Sequence, residues 1–341
     1  MKDYAYLNTR VAILASQLLS ESQLTTLLKQ PLGQQHTGQI PRDELLNDTR
    51  LEPTVIEQAW LIQMLADFQV LIRPLWGSTR EWLTYWFHKF DIANLKTIVR
   101  GKIAGLAAET IHEQLLELKP FTTLPIEQLL RTEDISELLR RLEESSYANI
   151  ARATRGVFEK EHQLYSLDAA IDRHYLLGFI QRMRVLEADQ RKYLLPILHI
   201  FMDRINLLWL LRYRLAYQLS AAETYYLLIP TGSRLNRQLL QRLVEFNSLA
   251  EILANLPEPL YSLLAEAETT FVVDQRLIQE TQRVAQLSLK FHHFTLAKIF
   301  AYVLLREMEM RQVMAIIKGK RFNLNQDTIA LAATNSAALL A

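Results

Sequence analysis

One pattern of residues occurs three times along this 341-residue chain, and this repetition constrains its fold more than any other feature. Each copy consists of a carboxylate, two residues, an amide, an aliphatic residue, four residues, a base, one residue and a second base. The copies begin at Asp91, Asp203 and Glu309, which lie 112 and 106 residues apart. Repetition at a nearly fixed interval is typical of a fold assembled from similar units. The sequence therefore predicts three tandem modules, which we place at residues 1–118, 119–228 and 229–341.

The modules are predicted to be helical. The chain contains only 9 glycines and 10 prolines, so helix-breaking residues are scarce. Capping boxes, in which a first side chain and a fourth one satisfy the N–H groups of a helix start, are predicted at Ser20, Asp134 and Ser248. Breakers near Lys119–Pro120 and within 228–232 support the two module boundaries, whereas 29–53 is predicted to be a mostly irregular connection. We expect an all-α fold of three similar helical bundles.

On a helix, the repeated residues fall along one stripe, because positions separated by three, four, seven and eleven residues share a face. Two interpretations remain open. In the first, each stripe belongs to a capped helix that holds a bundle together. In the second, the stripes line a surface for a partner. The candidate partner-binding residues are Asp91, Asn94, Arg100, Lys102, Asp203, Asn206, Arg212, Arg214, Glu309, Gln312, Lys318 and Lys320.

Several kinds of chemistry lack their sequence signature. There are no cysteines, no Gly-rich phosphate loop, and no second histidine four residues after His112-Glu113. A formal net charge of +1, with acidic and basic residues interspersed, argues against a nucleic-acid binder. We therefore expect no catalytic site, no cofactor, no bound metal and no small-molecule substrate. No signal peptide is predicted, since the apolar run 11–15 is short and preceded by charges, and no membrane-spanning segment is predicted, since the apolar stretch 205–211 is flanked by charges.

The first copy of the pattern, which runs from Asp91 to Lys102, resembles the D-x-x-N-L…R-x-K helix of the C-subunit family of V/A-type ATPases, the prokaryotic counterpart of the eukaryotic d subunit. The opening of the chain at Tyr6–Val11 and its closing segment at Glu307–Lys320 are similar to the same family. The third copy departs from the pattern with Glu309, Gln312 and Lys318, and 29–53 matches nothing in the family. The resemblance implies a funnel of three helical domains about a pseudo-threefold axis.

The resemblance also implies a function. Such a protein would be a non-catalytic part of the central stalk that couples the central shaft to the membrane proteolipid ring, with the stator membrane subunit as a further candidate partner. It would lie in the cytoplasm, peripheral to the membrane. A cytosolic helical-repeat scaffold that binds a protein or peptide is the main alternative. An all-helical enzyme with a metal or acid–base site is a third interpretation.

Overall fold

A computed structural model describes residues 2–35, 37–38, 40–118, 121–161, 164–230 and 234–335. About three quarters of the chain is helical, and the described residues contain no β-strand. The prediction of an all-α fold is therefore confirmed. The predicted boundaries at Lys119–Pro120 and Thr231–Gly232 lie outside the described residues, and the division into three domains stays a prediction.

Contacts within the chain group the residues into two compact units. The first comprises Met1–Leu75, Ala188–Tyr226 and Pro230–Ala341, so it draws on both ends of the chain. Its helices are α1 (Lys2–Ala15), α2 (Glu21–Lys29), α3 (Ile40–Asn47), α4 (Pro53–Ile72), α11 (Ala188–Leu211) with a π-helical turn at Arg212–Ala216, α12 (Ala221–Leu227, the last residue of which belongs to the second unit), α13 (Arg237–Leu243), α14 (Leu249–Ala254), α15 (Leu260–Leu264), α16 (Thr270–Phe291), α17 (Leu296–Arg321) and α18 (Gln326–Asn335).

The second unit comprises Trp76–Glu187 and Leu227–Ile229. Its helices are α5 (Gly77–Ile103), α6 (Ala108–Glu113), α7 (Ile126–Leu130), α8 (Ile135–Leu142), α9 (Ala148–Glu161) and α10 (Leu164–Val185). Helix α10 packs against α5 and α9, and α8 packs against α9 and α5. Trp82, Trp86 and Phe179 are buried where α5 meets α10, and the rings of Trp82 and Phe179 stack with centroids 4.8 Å apart.

Helix α17 is the centre of the first unit. It packs against α1, α4, α11, α16 and α18, and every residue from Leu296 to Met310 is buried. A helix that is apolar on all sides is expected to be buried all round. However, α17 also buries four charged side chains, and the structure must satisfy them internally. These residues are Lys298, Arg306, Glu307 and Glu309.

The three long helices that carry the repeated pattern, α5, α11 and α17, end in the same way. Each runs into a residue with positive φ, namely Gly105 (69°), Gln218 (56°) and Asn323 (53°). The leucine after it donates its N–H to a carbonyl of the last helical turn, as in a Schellman-type end. These bonds are Leu106 to Gly101 (2.9 Å), Leu219 to Tyr213 (2.9 Å) and Leu324 to Gly319 (3.0 Å).

Glycine near two of these ends permits close approach of the next helix. A Cβ on Gly101 would lie 2.5 Å from Ile111 of α6, and one on Gly319 would lie 2.7 Å from Ile329 of α18. The second copy has Tyr213 at this place, and there the helix accommodates one extra residue as a π-helical turn. The glycines therefore lie inside the last turn and serve packing, whereas the chain reversal falls at the positive-φ residue.

Among the described residues, two helical segments, Pro53–Ile72 and Ala188–Ala216, are long and apolar enough to cross a membrane by length and composition. These properties are weak evidence for a span, since core helices of soluble proteins have them as well. Length and composition alone do not decide whether either segment spans a membrane, so the absence of a membrane span stays a prediction. The second segment also carries Asp203, Arg204 and Asn206, all buried inside the chain.

Candidate functional site

The repeated carboxylate is buried in all three copies. The exposed fractions of Asp91, Asp203 and Glu309 are 1%, 0% and 4%. Each carboxylate accepts a hydrogen bond from a backbone N–H that lies just ahead of a short helix. The donors, in the same order, are Thr123 before α7 (2.9 Å), Leu235 before α13 (3.1 Å) and Leu19 before α2 (2.6 Å).

The last base of each copy reaches the opposite end of that short helix. Its side chain donates to backbone carbonyls that the helix end leaves without an intrahelical partner. The pairs are Lys102 with Leu130 (3.1 Å) and Thr132 (2.5 Å), Arg214 with Val244 (2.8 Å), and Lys320 with Leu27 and Gln30. Arg214 also bonds to Leu219 (2.8 Å) and Asn247 (2.5 Å).

We call this arrangement a clamp: a carboxylate at the start of a short helix and a base at its end, both from one long helix. The two groups are eleven residues apart, which corresponds to about 16 Å along the long helix. A negative charge near a helix N-terminus and a positive one near its C-terminus both interact favourably with the helix dipole. The clamp therefore fixes the position of the short helix and stabilises it electrostatically.

The clamps also settle which segments correspond. The first two long helices clamp helices that follow them in the chain, α7 and α13, whereas α17 clamps α2 at the start of the chain. Ser20 caps α2, but Asp134 and Ser248 cap α8 and α14, the next helices along. The three capping residues are confirmed as N-caps, yet Ser20 is one helix out of register with the other two. Their equal spacing of 114 residues does not mark equivalent positions.

The repeated amide differs between copies. Asn94 is buried, and it both donates to the carbonyl of Leu116 (2.9 Å) and accepts from its N–H (2.8 Å), so it replaces a missing backbone partner after α6. Asn206 is buried as well. Gln312 is half-buried and faces a cleft of about 710 Å³, whose lining also includes Glu309.

With this geometry established, comparison with known proteins places the chain in a family. The sequence model of one family, described as the ATP synthase (C/AC39) subunit, matches residues 7–331. The chain belongs to this family. Similar proteins include the C subunit of the A-type ATP synthase of Methanocaldococcus jannaschii, which is 24% identical over 96% of this chain and 85% of the relative. The corresponding protein of Thermococcus kodakarensis is 26% identical over 92% of this chain and 86% of the relative.

In this member of the ATP synthase (C/AC39) subunit family, most of the predicted partner-binding residues serve the fold of the chain itself. The carboxylates and the last bases form the clamps, and Asn94 bonds to its own backbone. Reversing the charge of Lys102, Arg214 or Lys320 would therefore disturb a clamp, whatever else it did. Contact of the twelve residues with a partner stays a prediction.

The first base of the pattern is exposed in one copy and half-buried in the other two. Arg100 is exposed and pairs with Asp168 of α10 at 2.5 Å. Lys318 is half-buried and pairs with Glu57 of α4 at 2.5 Å. Arg212 is half-buried too, and within the described parts of the chain it has neither an ion pair nor a hydrogen bond of its side chain.

Glu309 differs from the other two carboxylates because buried arginines surround it. Arg306 donates to Glu309 and lies 3.7 Å from Asp67, and Arg42 lies 3.7 Å from Glu309. Both guanidinium groups also stand over the ring of Trp60, at 5.4 and 5.1 Å from its centroid. Burial raises the pKa of Asp67, an effect that the charge of Arg306 partly offsets. The two acids and two bases balance one another.

Burial also affects one of the clamp bases. Desolvation beneath α2 lowers the pKa of Lys320 to about 8.

Among the residues that the structure describes, no group of three or more histidine, aspartate or glutamate side chains is arranged to hold a metal ion.

Sequence reasoning missed the helix that follows each long helix. Leu106, Leu219 and Leu324 each precede a short helix with a buried residue five positions after that leucine: Ile111, Thr224 and Ile329. The signal was present, since Leu-Ala-Ala-Glu-Thr-Ile at 106–111 matches Leu-Asn-Gln-Asp-Thr-Ile at 324–329. A search extended beyond the second base of the pattern would have found it.

Proposed function

We propose that this chain is the non-catalytic central-stalk subunit of a V/A-type ATPase, which couples the central shaft to the membrane proteolipid ring. Through this coupling, ATP hydrolysis or synthesis would be linked to the transport of H⁺ or Na⁺. Support comes from membership in the ATP synthase (C/AC39) subunit family and from relatives named as the C subunit of an A-type ATP synthase.

The observation that carries the proposal is the set of three clamps. A part that transmits torque needs a stiff body, because any local yielding would absorb the rotation. Densely packed interiors are poorly compressible. Each clamp adds charge-assisted bonds at both ends of a short helix, and such bonds are stronger than neutral ones. The short helices are thus fixed to the long ones at two points, as a rigid coupling piece requires.

The arrangement of the chain in the complex is part of the proposal. Three similar helical domains would form a funnel about a pseudo-threefold axis, with the ring at one end and the shaft at the other. Recurrence of the same clamp and the same helix ending on α5, α11 and α17 supports three equivalent modules. The chain would lie on the cytoplasmic side of the membrane, with the stator membrane subunit as a further neighbour.

The test is the removal of this chain from the assembled complex. Membrane vesicles are prepared from cells that make the chain and from cells that lack it, and ATP hydrolysis and ion uptake are measured on both. We expect vesicles without the chain to lose ATP-driven ion uptake and to regain it when the purified chain is added. Co-purification of tagged chain with the ring and shaft subunits provides the control. Wild-type uptake in vesicles that lack the chain would refute the coupling role.

A further inference from the structure

Arg212 stands apart from the two residues that occupy the same place in the pattern. Arg100 and Lys318 each meet a carboxylate at 2.5 Å, and in both cases that carboxylate comes from a helix packed beside the long one. For α5 the helix is α10, and for α17 it is α4. The side chain of Arg212 has no such partner within the described residues.

The reason lies in a neighbouring ion pair. Asp274 of α16 lines the same cleft as Arg212, but Arg204 bonds to it at 2.7 Å. Arg204 is 2% exposed, so this pair is internal, and breaking it would leave a buried charge. Asp274 is therefore already neutralised. The π-helical turn begins at Arg212, one turn after Leu208.

Arg212 lines an open cleft of about 570 Å³ within the first unit. The surrounding side chains are mainly apolar, and Phe271 remains 41% exposed. Asp274 contributes the one acidic group of the lining. The lining residues beside Arg212 and Asp274 are Leu208, Leu211, Leu215, Ala216, Thr270 and Phe271. Exposed apolar surface around a single uncompensated base fits a partner that brings apolar side chains and a carboxylate.

We propose that this cleft binds a helix of another protein subunit, in which a carboxylate that pairs with Arg212 is flanked by apolar side chains. In the other two copies the neighbouring helix supplies the acid, whereas Asp274 of α16, the helix beside α11, is bonded to Arg204, so the acid for Arg212 would come from another chain. An amphipathic helix laid into an apolar groove is a common mode of recognition. The inference rests on the proposed function, because the partner helix is sought among the subunits of the ATPase complex.

The absence of cysteine from the chain permits a site-specific test. Phe271→Cys is labelled with a benzophenone maleimide, the labelled chain is assembled into the complex, and the products of illumination are identified by mass spectrometry. We expect a cross-link to a helical peptide of another subunit that carries Asp or Glu within one turn of apolar residues. The matched control is the label at Val185→Cys, which is 72% exposed and remote in sequence. A cross-link to a peptide without an acid, or to no other subunit, would overturn the inference.

Charge reversal tests the role of Arg212 itself. We expect Arg212→Glu to lower the affinity of the chain for the complex by about tenfold, and Arg212→Lys to lower it less. Changing the carboxylate of the cross-linked peptide to lysine should restore the binding of Arg212→Glu. Because Arg212 has no internal partner among the described residues, the melting temperature of Arg212→Glu should fall less than that of Arg100→Glu, even though the new carboxylate shares the cleft with Asp274. Arg100→Glu is the matched control and should lower the melting temperature, since it breaks the pair with Asp168.

The outcomes separate the two proposals. If wild-type chain fails to join the ATPase complex, the proposed function fails. If wild-type chain joins it and Arg212→Glu binds with equal affinity, the proposed function stands and the cleft is not the docking site.

Discussion

The surroundings of Asp91 and Glu309 make an instructive comparison, because these residues hold the same position in the pattern. Asp91 is satisfied by neutral donors: the hydroxyl of Thr122 at 2.6 Å, the N–H of Thr123 at 2.9 Å and the hydroxyl of Tyr147 at 2.5 Å. Glu309 likewise accepts a hydrogen bond from a backbone N–H, that of Leu19. Its other partners are the buried arginines Arg306 and Arg42.

The difference shows which part of the clamp is constrained. Both regions keep the bond from a buried carboxylate to the N–H ahead of a short helix, so that bond defines the repeated unit. The remaining donors are free to be neutral or charged, provided that every buried oxygen is satisfied. Glu309 also has a longer side chain than Asp91, and the segment it holds comes from the other end of the chain.

The largest expected effect on stability is in the charged region around Glu309, which contains Arg306, Arg42 and Asp67. Arg306→Met should lower the free energy of unfolding by about 3–5 kcal/mol, because buried Asp67 would lose its guanidinium partner and Glu309 would keep only Arg42. Urea denaturation measures it. The double variant Arg306→Met, Asp67→Asn keeps Arg42 beside Glu309, leaves no uncompensated charge and should recover most of the loss. A cost below about 1 kcal/mol for the single variant would show that the network is not needed for stability.

A smaller effect is expected in the neutral region. Asp91→Ala leaves the donors of Thr122, Thr123 and Tyr147 without their acceptor and should cost about 1–3 kcal/mol. Tyr147→Phe removes only one of these bonds and serves as the control, with a cost of about 1 kcal/mol. If Asp91→Ala proved as costly as Arg306→Met, the contrast between the two regions would collapse.

The C-terminal ends of α5 and α17 share a closely packed glycine, so equal losses of stability are expected when each is replaced by alanine. Gly101→Ala and Gly319→Ala each force a methyl group into an isoleucine of the next helix and should cost about 1–2 kcal/mol. Gly156 of α9 has no atom within 4 Å of its Cβ position, so Gly156→Ala should instead add about 0.5–1 kcal/mol. Thermal unfolding of the three variants, monitored by circular dichroism, compares them. Different costs for Gly101→Ala and Gly319→Ala would indicate that the two helix ends are not equivalent.

The smallest effect concerns Lys320. Its pKa in the folded chain is lowered to about 8, so the unfolded chain binds this proton more tightly and the folded chain is destabilised at low pH. This destabilisation disappears as pH rises from about 8 towards the ordinary pKa of 10.5. The stability of wild type relative to Lys320→Arg, which stays charged, should therefore increase across this interval. Because Lys320 is partly exposed, we expect less than about 1 kcal/mol. Urea denaturation at pH values of about 7.5 and about 9.5, which bracket the folded-state pKa, would detect it, and a decrease would contradict the assignment.

Much of the fold followed from the sequence. The helical class, the three copies of the pattern and the N-caps at Ser20, Asp134 and Ser248 were all predicted, because they depend on short-range periodicity and local hydrogen bonds. The bundle-holding interpretation of the stripes agrees with the clamps. The eight-residue helix α3 within 29–53 was not predicted, because Gly33, Gly38 and Pro41 in this segment indicate breaks in the helix.

By itself the sequence determined that this chain repeats one helical unit and which side chains recur in it. Only the tertiary structure decided what those side chains bond to. A carboxylate and a base eleven residues apart present the same stripe whether they face a partner or a neighbouring helix, and burial alone distinguishes the two. The tertiary structure likewise showed that α17 takes α2 from the start of the chain, because a hydrogen bond depends on distance in space and leaves no trace in sequence order.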